Sequence, residues 1–146
     1  MHKTGNRKST ILLVEDDPDD VFLIERALEG GKEMGRLVCV NDGEEAMLFL
    51  RRKKPYQKAE RPDLILLDLN MPRKNGCEVL SEIKEDSDLC TIPVIVLTTS
   101  GSREDIKSAY QLRANCFISK PSDWKDLNRI LSEIQSFWLR TVSLPA

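Results

Sequence analysis

Five residue positions in this chain share one property. Glu15 and Asp16 follow the apolar run 10–14, Asp68 follows 64–67, Thr98 follows 94–97, and Lys120 follows 117–119. Together they are three carboxylates, one hydroxyl and one ammonium. Adjacent carboxylates can hold Mg²⁺, a hard cation that takes oxygen ligands and keeps several waters. A carboxylate at the edge of a dry core needs a partner or a metal, and it can act as a nucleophile toward phosphorus. A lysine neutralises a phosphoryl group as a point charge. The chemistry this set could perform is phosphoryl capture on Asp68.

Each residue alone also has a plainer reading. Glu15 and Asp16 open an acidic stretch with Asp17, Asp19 and Asp20, which could be a solvated loop favouring a helix N-terminus. Asp68 precedes Asn70, Pro72, Asn75 and Gly76, so it could be a turn aspartate. Threonine is common in strands, and Lys120 could be a surface lysine. The joint pattern is the specific one. It becomes a site only if the apolar runs are parallel strands, because their carboxyl ends then open onto one crevice.

The elements required are legible. Strand one is 10–14, and Asp17-Pro18 is a helix entry with proline preset for the first turn. Val21, Ile24 and Leu28 share a helix face that Gly30-Gly31 would end. Strand two lies at about 36–40. Asp42 with Glu45 resembles a capping box for a helix bearing Ala46, Phe49 and Leu50. Residues 51–61 are polar and charged and read as a helix end and surface loop. Strand three is 63–67, and its nearly unbroken apolar character suits a central strand covered on both faces. Asn75-Gly76 turns the chain into a helix bearing Val79, Leu80 and Ile83. Pro93 opens strand four, where a missing N–H is tolerated. Ser102 with Asp105 starts a helix, strand five lies at about 115–119, and a last helix runs from about 123 to 139. Strands alternating with helices imply βαβ units and a parallel sheet.

Composition excludes several classes. The chain has 146 residues, enough for one domain with its own core, and a net charge of -2 with both signs interspersed. The global charge therefore leaves no nucleic-acid footprint. No signal peptide is evident, and the longest uncharged stretch, 89–102, is too short and too polar for a membrane span. Four cysteines form no CxxC pair, and the single histidine is His2, so a structural zinc site is not expected. Reduced thiols in a cytoplasmic protein are the expectation. There is no G-x-x-x-x-G-K-[ST] loop, no G-x-G-x-x-G turn after strand one and no G-x-S-x-G elbow.

Four motifs then carry a resemblance: ILLVEDDP (11–18), DLILLDLNMPRKNG (63–76), PVIVLTTS (93–100) and FISKP (117–121). The chain resembles the receiver domain of two-component response regulators from about Thr10 to Leu139. The resemblance implies an α/β fold, a flavodoxin-like (βα)5 sandwich with sheet order 2-1-3-4-5. It implies a flexible arm over 1–9 and one receiver domain with C-terminal helix and tail over 10–146. By motif, Asp68 is the phospho-acceptor, Asp16 a direct Mg²⁺ ligand, Glu15 its acidic companion, and Asn70 a carbonyl ligand. Thr98 bonds the phosphoryl oxygen, Lys120 pairs with it, and Phe117 is the switch aromatic, rotating inward when Thr98 moves. The insertion near 54–61 and the ending SFWLRTVSLP resemble stand-alone regulators paired with phytochrome-type sensor kinases. A departure is Thr99, where the family usually has a smaller residue.

The function implied is a single-domain response regulator. It would take a phosphoryl group from a sensor histidine kinase with Mg²⁺ and signal by contact with a downstream protein target. Self-phosphorylation and self-dephosphorylation would be its only catalysis. A phosphatase using Asp68 would usually want a second acid two residues on, where this chain has Asn70. A receiver-like module that never becomes phosphorylated is argued against by the intact set of site residues. Nucleic acid and membrane are not expected partners. Phe137, Trp138, Leu139, Val142 and Leu144 crowd a short span, more apolar surface than an exposed tail should carry. That predicts a homodimer surface, with a tail folded back on its own domain as the alternative.

Overall fold

The computed structural model describes residues 9–29 and 34–145. The expected arm lies almost wholly outside the described residues, as does the helix stop at Gly30-Gly31. The chain order is β1 (Ser9–Val14), α1 (Pro18–Leu28), β2 (Met34–Val40), α2 (Gly43–Leu50), β3 (Leu64–Leu67), α3 (Gly76–Glu85), β4 (Val94–Thr98), α4 (Arg103–Gln111), β5 (Cys116–Ser119) and α5 (Trp124–Ile134), followed by a π-helical segment, Gln135–Thr141. All five strands are parallel, in the order β2-β1-β3-β4-β5. The expected α/β flavodoxin-like sandwich is the fold observed.

Period-two alternation explains why the central strands are apolar throughout. Leu12, Val14, Ile65, Leu67, Val94 and Val96 face one side, against Val79, Leu80 and Ile83 of α3, Ala46 of α2 and Ala109 of α4. Ile11, Leu13, Leu64, Leu66, Ile95 and Leu97 face the other, against Ile24 and Leu28 of α1 and Leu127, Leu131 and Ile134 of α5. Both faces are covered, so neither can be polar. Each fully buried aliphatic side chain contributes about 2 kcal/mol relative to exposure.

Local chemistry sets the helix starts. Asp17, Asp42, Asn75, Ser102 and Asp123 are the N-caps. The box expected at Asp42 and Glu45 is half formed. Asp42 accepts from the Glu45 N–H at 2.9 Å, while the Glu45 carboxylate binds the Tyr56 hydroxyl instead of reaching back. A complete capping box forms at Asn75 and Glu78.

Two boundaries differ from expectation. β2 begins at Met34 rather than near residue 36, because β1 offers a partner as far as Ser9, across an irregularity at Ser9/Thr10. The last helix is not continuous to residue 139. After Ile134 it widens into π turns, closed by the Val142 N–H donating to the Phe137 carbonyl at 2.8 Å. The wider winding lets Trp138 and Leu139 both pack on the α1/α5 side of the sheet. Phe137 stays 55 % exposed and Leu144 is buried. The tail thus turns Leu144 back onto its own protomer, which removes it from the expected dimer surface.

Candidate functional site

The carboxyl ends of β1, β3, β4 and β5 bring the site together. The Asp68 N–H donates to the Val14 carbonyl at 3.0 Å, and the Glu15 N–H donates to the Val40 carbonyl at 3.1 Å. The end of β3 is thereby tied beside the end of β1, and β1 beside β2. The Lys120 N–H donates to the Thr98 carbonyl at 2.7 Å, which fixes the end of β5 beside β4. Gly76 closes the floor. Its N–H donates to the Leu69 carbonyl at 3.0 Å, and a Cβ there would collide with the Asp68 backbone. Only glycine permits that approach.

Glu15, Asp16 and Asp68 place carboxylate oxygens within 4.8 Å of one another. Glu15 and Asp68 are buried, while Asp16 is exposed. One Asp68 oxygen accepts from the Asn70 N–H at 3.0 Å and the Thr98 hydroxyl at 2.7 Å. The other accepts from the Lys120 ammonium at 3.2 Å. The Asn70 side-chain amide reaches the Thr98 hydroxyl at 3.4 Å. The Lys120 side chain, only 3 % exposed, also pairs with Glu15 and, at 2.8 Å, with Asp20. All three ammonium protons therefore have a carboxylate.

The electrostatics follow from crowding. Burial pushes the Glu15 carboxyl up to about 7, with the neighbouring Asp68 adding to the rise and Lys120 opposing it. Burial also acts to raise Asp68, but the bonds from the Asn70 N–H and Thr98 hydroxyl, with Glu15 and Lys120, hold it below the usual carboxylate range. Burial works against the Lys120 charge, yet the bonds to Asp20 and Glu15 outweigh it, so its proton is held more tightly than usual. These bonds orient the Asp68 carboxylate in the crevice. A single protein cation faces four carboxylates. Among the described residues the crevice holds more carboxylates than ammonium groups, and its donors are the oxygens that a hard divalent cation takes.

The structure brings together every residue expected at the acceptor site: Glu15, Asp16, Asp68, Asn70, Thr98 and Lys120. Phe117 lies apart on β5, half-buried against the core, and its N–H donates to the Tyr110 hydroxyl at 3.2 Å. The Thr98 hydroxyl already points at Asp68. Asp20 was not expected. Its signal was its spacing, four residues past Asp16 and in the first turn of α1, which turns it back over the crevice.

The response regulator receiver domain matches residues 11–132. The response regulator Rcp1 of Synechocystis is 45 % identical over 146 residues, covering 100 % of this chain and 99 % of the relative. Among solved structures, that of the phosphorylated cyanobacterial phytochrome response regulator RcpA superposes with a TM-score of 0.93 at 47 % identity, over 96 % of this chain and 100 % of that one. The Mn²⁺-bound form of Rcp1 superposes with a TM-score of 0.89 at 46 % identity, over 94 % and 99 %. Sheet order, acidic crevice and relatives converge, and the chain belongs to the response regulator receiver domain family of two-component signalling.

Proposed function

We propose that Asp68 is the residue that receives the phosphoryl group, from a phosphohistidine on a sensor kinase of the phytochrome type. The observation that carries this reading is the pincer on Asp68, with the Thr98 hydroxyl at 2.7 Å on one oxygen and the Lys120 ammonium at 3.2 Å on the other. An Asp68 oxygen attacks phosphorus, the P–O bond forms, and the P–N bond to the donor imidazole breaks with its electron pair leaving on nitrogen. Such transfer needs positioning and charge neutralisation more than covalent assistance. Lys120 supplies a fixed positive charge beside the transferred group. Thr98 offers its hydroxyl to an equatorial oxygen, and from its present position it has little distance to travel.

Glu15, Asp16 and Asp68, with the Asn70 carbonyl, are the groups that would hold Mg²⁺. When bound, the ion supplies charge neutralisation that Lys120 alone cannot. The output is contact with a downstream protein through α4, β5 and α5, with Phe117 reporting the state of Asp68 to that face. A second copy pairs there by an isologous contact, and Phe137 is the tail residue left open for it. All four cysteines are free, which supports a reducing, cytoplasmic setting.

The experiment is intact mass after treatment with a small phosphodonor, with and without chelator. A single phosphoryl mass gain is expected only with Mg²⁺ present, and none in Asp68→Asn. A gain that survives either change assigns the acceptor elsewhere.

A further inference from the structure

The connection between α2 and β3 uses none of the chemistry above, yet it concentrates charge. Residues 51–61 read RRKKPYQKAER, six cations against Glu60, in a chain of net charge -2. Connections this long without regular structure are uncommon and are usually functional or disordered. This one is held firmly. The Tyr56 ring packs edge-on against Phe49 with centroids 5.4 Å apart, and its hydroxyl binds Glu45. Arg61 donates to the Asp88 carbonyl at 2.8 Å and the Thr91 hydroxyl at 2.9 Å. Arg51 pairs with Glu82 at 3.3 Å.

The four remaining cations, Arg52, Lys53, Lys54 and Lys58, are exposed and make no ion pair or side-chain hydrogen bond among the described residues. Arg36 on β2 is likewise exposed and unpaired, and it lines the same hollow as Lys58. Holding like charges together in an ordered loop costs stability, and among the described residues no ion pair to these four offsets it.

Arg52 sharpens the point. The Lys53 N–H donates to the Leu48 carbonyl at 2.9 Å and the Arg52 N–H to the Phe49 carbonyl at 3.2 Å, the Schellman closure of α2. Arg52 sits at the left-handed position with φ 54°, where glycine is the favoured residue. Two other arginines share that backbone region, and both have partners. Arg113 donates to the Lys84 carbonyl at 3.0 Å, and Arg73 pairs with Asp42 at 3.8 Å. Arg52 alone of the three accepts the strain and gives the fold nothing in return.

We infer that this basic strip is a docking surface for an acidic polypeptide segment. Two hollows flank it. One, of about 270 Å³, has Phe49, Pro55 and Tyr56 in its wall with Arg36 and Lys58. The other, of about 390 Å³, holds Arg51, Arg52 and Arg61 beside Glu60, Asp86 and Asp88. Cations beside apolar walls suit acidic and apolar side chains set along a chain. A lipid surface is flat and would leave both hollows empty. A nucleic acid finds no free ring to stack on, because Phe49 and Glu45 already engage Tyr56. A pinned loop loses little entropy on binding, and clustered charge speeds encounter.

The test uses the full chain and a fluorescent peptide of alternating glutamate and leucine, with oligothymidylate of equal charge and phosphatidylserine-containing vesicles as competitors. The peptide should bind, more weakly as salt rises. Joint Arg52→Glu, Lys53→Glu and Lys54→Glu should weaken it about tenfold or more, while phosphodonor labelling of Asp68 continues as a check on folding. Arg52→Gly should raise the melting temperature and yet weaken the peptide. No peptide binding, binding unchanged by the charge reversals or by Arg52→Gly, or a tighter hold on oligothymidylate or vesicles overturns the inference.

Discussion

The Asp20 carboxylate accepts a hydrogen bond from the Lys120 ammonium at 2.8 Å, across 100 positions of sequence. The contact draws Lys120 toward α1 as well as toward Asp68. It also adds a fourth carboxylate to the crevice.

Asp20→Asn should therefore weaken Mg²⁺ binding by a few-fold, since a partly exposed charge near the site attracts the ion through screened solvent. Calorimetric titration of Mg²⁺ measures this. Unchanged affinity would mean that Asp20 serves only to anchor Lys120.

Glu15 and Asp16 should separate cleanly. Asp16 is exposed and makes no protein bond among the described residues, so Asp16→Ala should nearly abolish metal binding and shift stability by no more than about 0.5 kcal/mol. Glu15 is buried beside Lys120, which keeps Asp20 and Asp68 as partners without it. Glu15→Ala should therefore weaken metal binding less than Asp16→Ala and cost less than about 3 kcal/mol, the penalty of stranding a buried charge. Urea denaturation alongside metal titration distinguishes the two. Equal losses of metal affinity contradict the assigned roles.

Cys39 gives a pH prediction away from the site. Burial, with Glu25 nearby, pushes its thiol up to about 11 from an ordinary 9.0. Iodoacetamide labelling of Cys39 should be slow at pH 8 and climb until about pH 11, read by peptide mass spectrometry. The folded state holds this proton more tightly than the unfolded chain. Stability from this group is thus full below pH 9 and falls as pH rises from 9 toward 11. Fast labelling at neutral pH contradicts it.

Phe137 tests the dimer. Its ring meets Trp138 edge-on at 5.7 Å and is otherwise open. Phe137→Ala should change protomer stability by less than about 1 kcal/mol while shifting the light-scattering mass toward the monomer. Truncation would be a poorer probe, because it also removes buried Leu144. A wild-type chain that stays monomeric at high concentration, phosphorylated or not, rules the pairing out.

Much of this protein was readable in the chain alone because its signals are local. A strand flanked by helices on both faces must be apolar throughout, so 64–67 announces a central strand and Asp68 its polar end. The caps at Asp42, Asn75 and Ser102 act within three residues and mark helix starts by hydrogen bonds that the sequence spacing displays. Parallel order then carries Glu15, Asp16, Asp68, Thr98 and Lys120 to one edge with no further information.

What required the tertiary structure is the choice among distant partners of like chemistry. Lys120 could have paired with any of several acids, and only the packing of α1 on the sheet selects Asp20. Glu45 is spaced to cap its own helix, but the returning loop presents the Tyr56 hydroxyl, and a half-buried tertiary bond displaces the local one. The tail is equally apolar at Phe137 and Leu144. Its π winding and the turn after it decide which faces solvent and which is covered, because apolar burial is non-directional and geometry alone assigns it.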